Sequence, residues 1–263
     1  LTTHGTGAAT VVNDAGLNFA ASTVGGTLTA TATAGNITQS GALAITGVTT
    51  IAADSSNNIT LTNTSNNFQA AVRITSGNNV TLVDAGAIDL GASTVSGALS
   101  ATATSGNITQ SGALDIEGTT TLVTTAQGAT IVLGTTTNAF TSQLLITTND
   151  NDSPTDGTYA ADVTIDGGTT NLIIGASTID GDLTLLSGGT ITDTDSSTVT
   201  VRGTLTATTD ASHSVITLND LAVDGAFTLA PNGTGAVTIV NDAGLILAAS
   251  TMGGTFSGTA TTG

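Results

Sequence analysis

Ser22–Leu43 reads STVGGTLTATATAGNITQSGAL, and Ser93–Leu114 reads STVSGALSATATSGNITQSGAL, nearly the same words 71 positions later. In the first copy Leu28, Ala30 and Ala32 are separated by Thr29 and Thr31. In the second, Leu99, Ala101 and Ala103 are separated by Ser100 and Thr102. Side chains of a strand point alternately to opposite faces, so this spacing predicts strands with an apolar inward face and a hydroxylated wet face. Gly and small polar residues break the runs into short strands, the period of a helix is absent, and abundant Thr and Val suit a pleated backbone.

Weaker copies begin at Ser177 (STIDGDLTLLSGGTIT) and Ser250 (STMGGTFSGTATTG), giving repeats of 71 to 84 residues. The inward phase is kept at Leu183 and Leu185, then at Phe256, Gly258 and Ala260. The same phase links Leu43 and Ile45 to Leu114 and Ile116, Ile59 and Leu61 to Ile131 and Leu133, and Val80 and Leu82 to Val163 and Ile165. Gly5–Gly35 also matches Gly233–Gly263 without gaps, 228 positions apart. Repeats at such periods mark solenoids, in which each coil buries its apolar residues only against its neighbours. The expected fold is all-β: a parallel β-helix, or β-solenoid, with about three coils of roughly 24 residues per repeat. Residues 1–263 form one continuous segment in this reading, an excerpt of a longer tandem array.

Composition agrees. The chain has 33 Gly, no Cys, no Trp and 2% aromatic residues, so its core must be thin and built from Ala, Val, Ile and Leu. Apolar content of 39% in alternating runs is too high and too ordered for a disordered chain. The formal charge is -17 and the only basic residues are Arg73 and Arg202. Such a surface repels phosphates and excludes nucleic acid as a partner. No apolar stretch of about 18 residues is present, so no membrane insertion is expected.

The words GNITQSGAL at Gly35 and Gly106, NNITLTN at Asn57, SGNNVTLVDAGAIDLGAST from Ser76, and NNF and NAF at Phe68 and Phe140 resemble the strand repeats of giant filamentous-haemagglutinin-like bacterial surface proteins. The resemblance covers nearly the whole chain and concerns the scaffold, without a site. It implies a right-handed helix, secretion to the cell surface, and roles in adhesion, biofilm or cell-to-cell contact. Its implied partners are further copies of itself in a fibre, other cells and surface glycans.

Three acidic pairs at i, i+2 are candidates for acid-base chemistry on one strand face: Asp115 with Glu117, Asp180 with Asp182, and Asp193 with Asp195. No Trp accompanies them, and Asp115 and Glu117 fall at wet positions, so a solvated surface is the expected reading. His4 and His213 have no partner pattern and are assigned to turns. Arg73 and Arg202 are expected to pair with nearby Asp. One segment breaks the repeat at about 149–160, NDNDSPTDGTYA, an inserted loop. Its Asp150, Asp152 and Asp156 are hard oxygen ligands at alternating positions, as a calcium loop requires; the alternative is a polar surface loop. It lacks the closing Glu of an EF-hand. No other cofactor is expected.

The sequence therefore predicts a non-catalytic structural or adhesive rod of an extracellular fibre or cell-surface adhesin. The alternative is a carbohydrate- or ice-binding face made from outward rows such as Thr27, Thr29, Thr31 and Thr33. A β-helix enzyme acting on polysaccharides ranks below both.

Overall fold

The computed structural model describes residues 1–150, 160–195 and 197–262. Among them the regular elements are strands, without a helix, and the strands pair in parallel. The fold is a parallel β-solenoid, as the alternation predicts. It divides into two compact units, Leu1–Thr125 and Ala126–Gly263.

In the first unit each early coil has three sides. Ala9–Asn13, Leu28–Ala32, Thr49–Ala53 and Val72–Ser76 stack into a first sheet, with Ala9, Leu28, Thr49 and Val72 in one column. A second sheet stacks Leu17–Phe19, Ile37–Gln39, Ile59–Leu61, Val80–Asp84 and Leu99–Ala103, and a third stacks Ser22–Val24, Leu43–Ile45 and Asn67–Phe68. Leu28, Leu43, Ile45, Ile59, Leu61, Val80 and Leu82 are at most 1% exposed, as are the copies Leu99 and Ile116. The inward register read from the alternation is therefore the observed one.

Successive strands of the first sheet start at residues 9, 28, 49 and 72, so a coil takes 19 to 23 residues, fewer than the expected 24. A 71-residue repeat is not a whole number of such coils. The second copy of a word accordingly lands on a different side. Leu28–Ala32 lies in the first sheet and its copy Leu99–Ala103 in the second; Ile37–Gln39 lies in the second and its copy Ile108–Gln110 in the first. The change happens where the third sheet ends. After Asp84 the chain turns, Ile88–Leu90 joins the first sheet through Val72↔Leu90, and a new short sheet opens with Ser93–Val95 against Leu114–Ile116.

The second unit repeats the pattern. Ile131–Leu133, Val163–Asp166, Leu183–Ser187, Leu205–Thr209 and Phe227–Ala230 form one sheet, with Leu183, Leu205 and Phe227 stacked and buried. Phe256, Gly258 and Ala260, expected to point inward, are exposed. Their strand pairs with Val237–Asn241 on one side, and no described coil covers the other.

Corners are held by side chains that supply the hydrogen bonds the turns cannot. The Oδ1 atoms of Asn36, Asn58 and Asn79 each accept the N–H of a residue one coil on, at Asn58, Asn79 and Ala98, at 2.8 to 3.1 Å. This asparagine ladder explains the recurring Asn of the turns. The Ser that opens each repeat word has a similar task. Ser93 Oγ accepts the Ile74 N–H and donates to the Gly91 carbonyl; Ser177 does the same with Ile146 and Gly175, and Ser250 with Leu229 and Ala248. At one corner Gly7, Gly26 and Gly47 stack so closely that a Cβ on Gly47 would lie 2.6 Å from Gly26, which leaves room only for glycine.

Candidate functional site

Of the sequence-predicted site residues, Asp150 directly follows the strand Leu144–Asn149 and is buried, whereas Asp152 and Asp156 lie outside the described residues. The structure brings two residues to Asp150 that sequence spacing did not join to it. Asp180, in the corner after Ser177–Ile179, accepts the Asp150 N–H at Oδ2 (2.8 Å) and takes a backbone bond from its own N–H to Thr148 Oγ1 (3.0 Å). Its Oδ1 meets Arg202 Nε at 3.2 Å, and Arg202 also donates from Nη1 to the Asp150 carbonyl at 3.2 Å. Arg202 follows Val199–Val201, one coil beyond Asp180, so stacking sets the pairing.

Asp150 itself accepts the Ala160 N–H at Oδ2, 2.9 Å, and Gln127 Nε2 stands 3.5 Å from Oδ1. Asp150 and Ala160 flank the residues inserted between repeats. Their bond, together with Asp180 and Arg202, fastens the two ends of that insertion to the solenoid. This is what the arrangement does chemically: it compensates buried carboxylates with N–H donors and one guanidinium. Both oxygens of Asp180 are engaged, and so are those of Asp150, Oδ2 by the Ala160 N–H and Oδ1 by Gln127. Among the described residues no three His, Asp or Glu side chains gather as metal ligands.

The acidic pairs do not all share a face. Asp115 and Glu117 are both exposed, but Asp180 is buried and Asp182 exposed, because they occupy a corner where the strand alternation does not apply. Asp182 serves another ladder: its N–H bonds Asp162 Oδ1 and its own Oδ1 accepts the Thr204 N–H. Asp193 closes the strand Ile191–Asp193, and Asp195 lies in the turn beyond. Burial pushes the Asp193 carboxyl above the usual carboxylate range, the Asp220 charge adds to this, and the Asp220 N–H, 2.7 Å from Oδ2, opposes it. Burial likewise raises Asp84, against the Phe68 and Gly86 N–H groups it accepts at 2.6 Å. Arg202 finds the expected carboxylate; among the described residues Arg73 does not. His4 and His213 sit in turns, His213 with a positive φ of 66°.

The outward Thr residues form columns across coils. Thr10, Thr29 and Thr50 stack on the first sheet and end at Arg73, while Thr38, Thr60, Thr81, Ser100 and Thr121 stack on the second. Sequence comparison missed them, because a column follows the coil and the words follow the repeat.

A family model described as repeats of unknown function, DUF5649, matches residues 6–75, 77–147 and 160–233. The chain belongs to this family. The DUF5649 matches place three tandem repeats on the solenoid and leave 148–159 between the second and third, the stretch that carries the insertion. No curated protein and no solved structure matches the chain.

Proposed function

We propose that this DUF5649 chain is a structural and adhesive rod, part of an extracellular bacterial fibre or cell-surface adhesin, and that it catalyses no reaction. The observation that carries the reading is the tandem repeat folded as a parallel solenoid. Each coil takes its backbone hydrogen bonds from the coils on either side, so an array of such repeats lengthens without needing a new core. The buried carboxylates support a scaffold as well: Asp150, Asp180 and Asp84 are bonded to backbone N–H groups of neighbouring coils. The filamentous-haemagglutinin-like words favour export and adhesion, with copies of itself, other cells and surface glycans as partners.

The single Thr columns do not favour the ice-binding alternative, which needs a two-dimensional grid over many coils. Beside Thr10, Thr29 and Thr50 the neighbouring outward column of the first sheet reads Val12, Thr31 and Ala52.

Electron microscopy of the native material tests the rod, with thin unbranched filaments expected. Compact isolated particles would overturn it, and release of reducing sugar from any polysaccharide offered to the protein would overturn the non-catalytic part. The filaments should also survive thiol reductant and resist trypsin, since the chain has no Cys and its two basic residues are Arg73 and Arg202.

A further inference from the structure

The end of the third sheet in the first unit leaves a gap. Asn67–Phe68 is the last strand of that sheet, and the chain one coil on has moved away to pair Leu90 with Val72. Ile88 and Asp89 therefore have a strand partner only on their far side, Ile108 and Thr109. Between the two edges lies a groove of about 230 Å³ lined by Asn67, Phe68, Gln69, Ala87, Asp89 and Thr109 among others.

Asp89 Oδ1 is buried in this region and has no hydrogen-bond partner. A carboxylate oxygen withdrawn from water with no donor is costly to the free protein, and Asp89 as a whole is partly exposed and lines the groove, so a turn of the carboxylate toward a ligand hydroxyl there offsets that cost. The fold does not need the acid there. The residue four positions before the recurring Ser is Asn18, Asp89, Ile173 or Ile246 in the successive copies. Asn67 and Gln69 likewise correspond to Ala139 and Thr141 in the next NNF-type word. The polar set is thus particular to this groove.

We propose that the groove binds one neutral sugar ring of a glycan. Its chemistry fits hydroxyl groups, which donate to Asp89 and both donate to and accept from the Asn67 and Gln69 amides and the Thr109 hydroxyl. Ala70 and Ala87 provide apolar surface for the C–H face of a pyranose. The volume is below the roughly 300–1,000 Å³ of drug-sized pockets and suits a single ring. No basic residue lines it and the chain carries a formal charge of -17, so uronic acids, sialic acids and phosphates are repelled. The inference gives the adhesive reading a ligand class and fails separately from it, because a rod with an empty groove still forms filaments.

The test is saturation-transfer NMR and calorimetry of the intact chain with methyl glycosides of glucose, galactose, mannose and N-acetylglucosamine, and with glucuronic acid as the charged control. At least one neutral glycoside binds in the millimolar range, glucuronic acid does not, and Asp89→Ala or Gln69→Ala weakens binding at least tenfold. Asp115→Ala, at an exposed position outside the groove, leaves it unchanged. If Asp89→Ala fails to fold, Asp89→Asn replaces it, with the same loss expected. Absence of binding by every neutral glycoside, equal binding by the Asp89 variants, or calcium binding at Asp89 without glycoside binding would each overturn the proposal.

Discussion

Replacing Thr49 with Val should make the protein more stable. Thr49 is an inward residue of the first sheet, in the column between Leu28 and Val72, and is 0% exposed. Its Oγ1 is buried with no hydrogen-bond partner. Val has the same shape with a methyl group in place of the hydroxyl, so the change removes an unsatisfied polar atom and leaves no cavity. Burying an unbonded hydroxyl costs about 1–3 kcal/mol in protein mutational data, and Thr49→Val should recover about that much. At about 2–4 °C per kcal/mol for a chain of this size, the melting temperature should rise by several degrees. Thr120, the matching residue one repeat later, is equally buried and equally unpartnered, so Thr120→Val should act alike. Thr50→Val, on the outward face, is the control and should stay within about 0.5 kcal/mol. Melting and urea unfolding followed by circular dichroism give the comparison. If Thr49→Val melts at or below the wild-type temperature, the hydroxyl has a partner in solution and the reasoning fails.

Acid should stabilise the fold over part of the range in which it destabilises most proteins. Asp84 and Asp193 are raised by burial, so the native state holds their protons more tightly than the unfolded chain does. That contribution is fully present below the unfolded value of about 3.9 and is lost as pH rises through the raised native values. Melting temperature should therefore increase as pH falls from neutral toward the unfolded carboxylate value of about 3.9, less steeply in Asp84→Asn and Asp193→Asn; a steady fall in the wild type with no difference from the two variants would contradict the burial argument. Asp180→Ala should cost about 2 kcal/mol, because it leaves the Asp150 N–H without its acceptor and Arg202 without its carboxylate. Arg202→Gln should cost less, since its side chain is 42% exposed. Equal melting of Asp180→Ala and wild type would show that the clamp on the insertion carries no stability.

The inward rows were legible in the sequence because they depend on a period of two, which local chemistry alone fixes. Leu28, Ile59 and Leu82 needed no knowledge of what lay beside them. The side of the coil on which each word falls was not legible, because STVGGTLTATATA and STVSGALSATATS carry the same alternation wherever they are placed. Coil length decides the side, and coil length is set by turns whose geometry depends on the coil below, as the Asn36, Asn58 and Asn79 ladder shows. The Asp150, Asp180 and Arg202 cluster was missed for the same reason. Its members are 30 and 22 positions apart, spacings that mean proximity only once the coil and the insertion are known. Asp180 and Asp182 were misjudged as facing together because the strand rule was carried into a corner. The signal that does reach across coils is the Ser that opens each word, whose Oγ is committed to the previous coil at Ile74, Ile146 and Leu229.

The mismatch between repeat and coil also bears on what duplication of this sequence can achieve. In the first unit, a surface feature on Leu28–Ala32 reappears with Leu99–Ala103 on another sheet, so copying the repeat spreads the feature around the solenoid instead of extending it along one side. A function that needs one long flat face gains nothing from such copying. A scaffold loses nothing, because every side has the same inward alternation and accepts any copy: Leu28 and Leu99 are each 1% exposed on their different sheets. A surface feature found once arises where the sides change over and a sheet ends, and the groove at Asp89 lies at such a place. Repetition builds the solenoid, and the places that differ from one another lie where the repetition breaks.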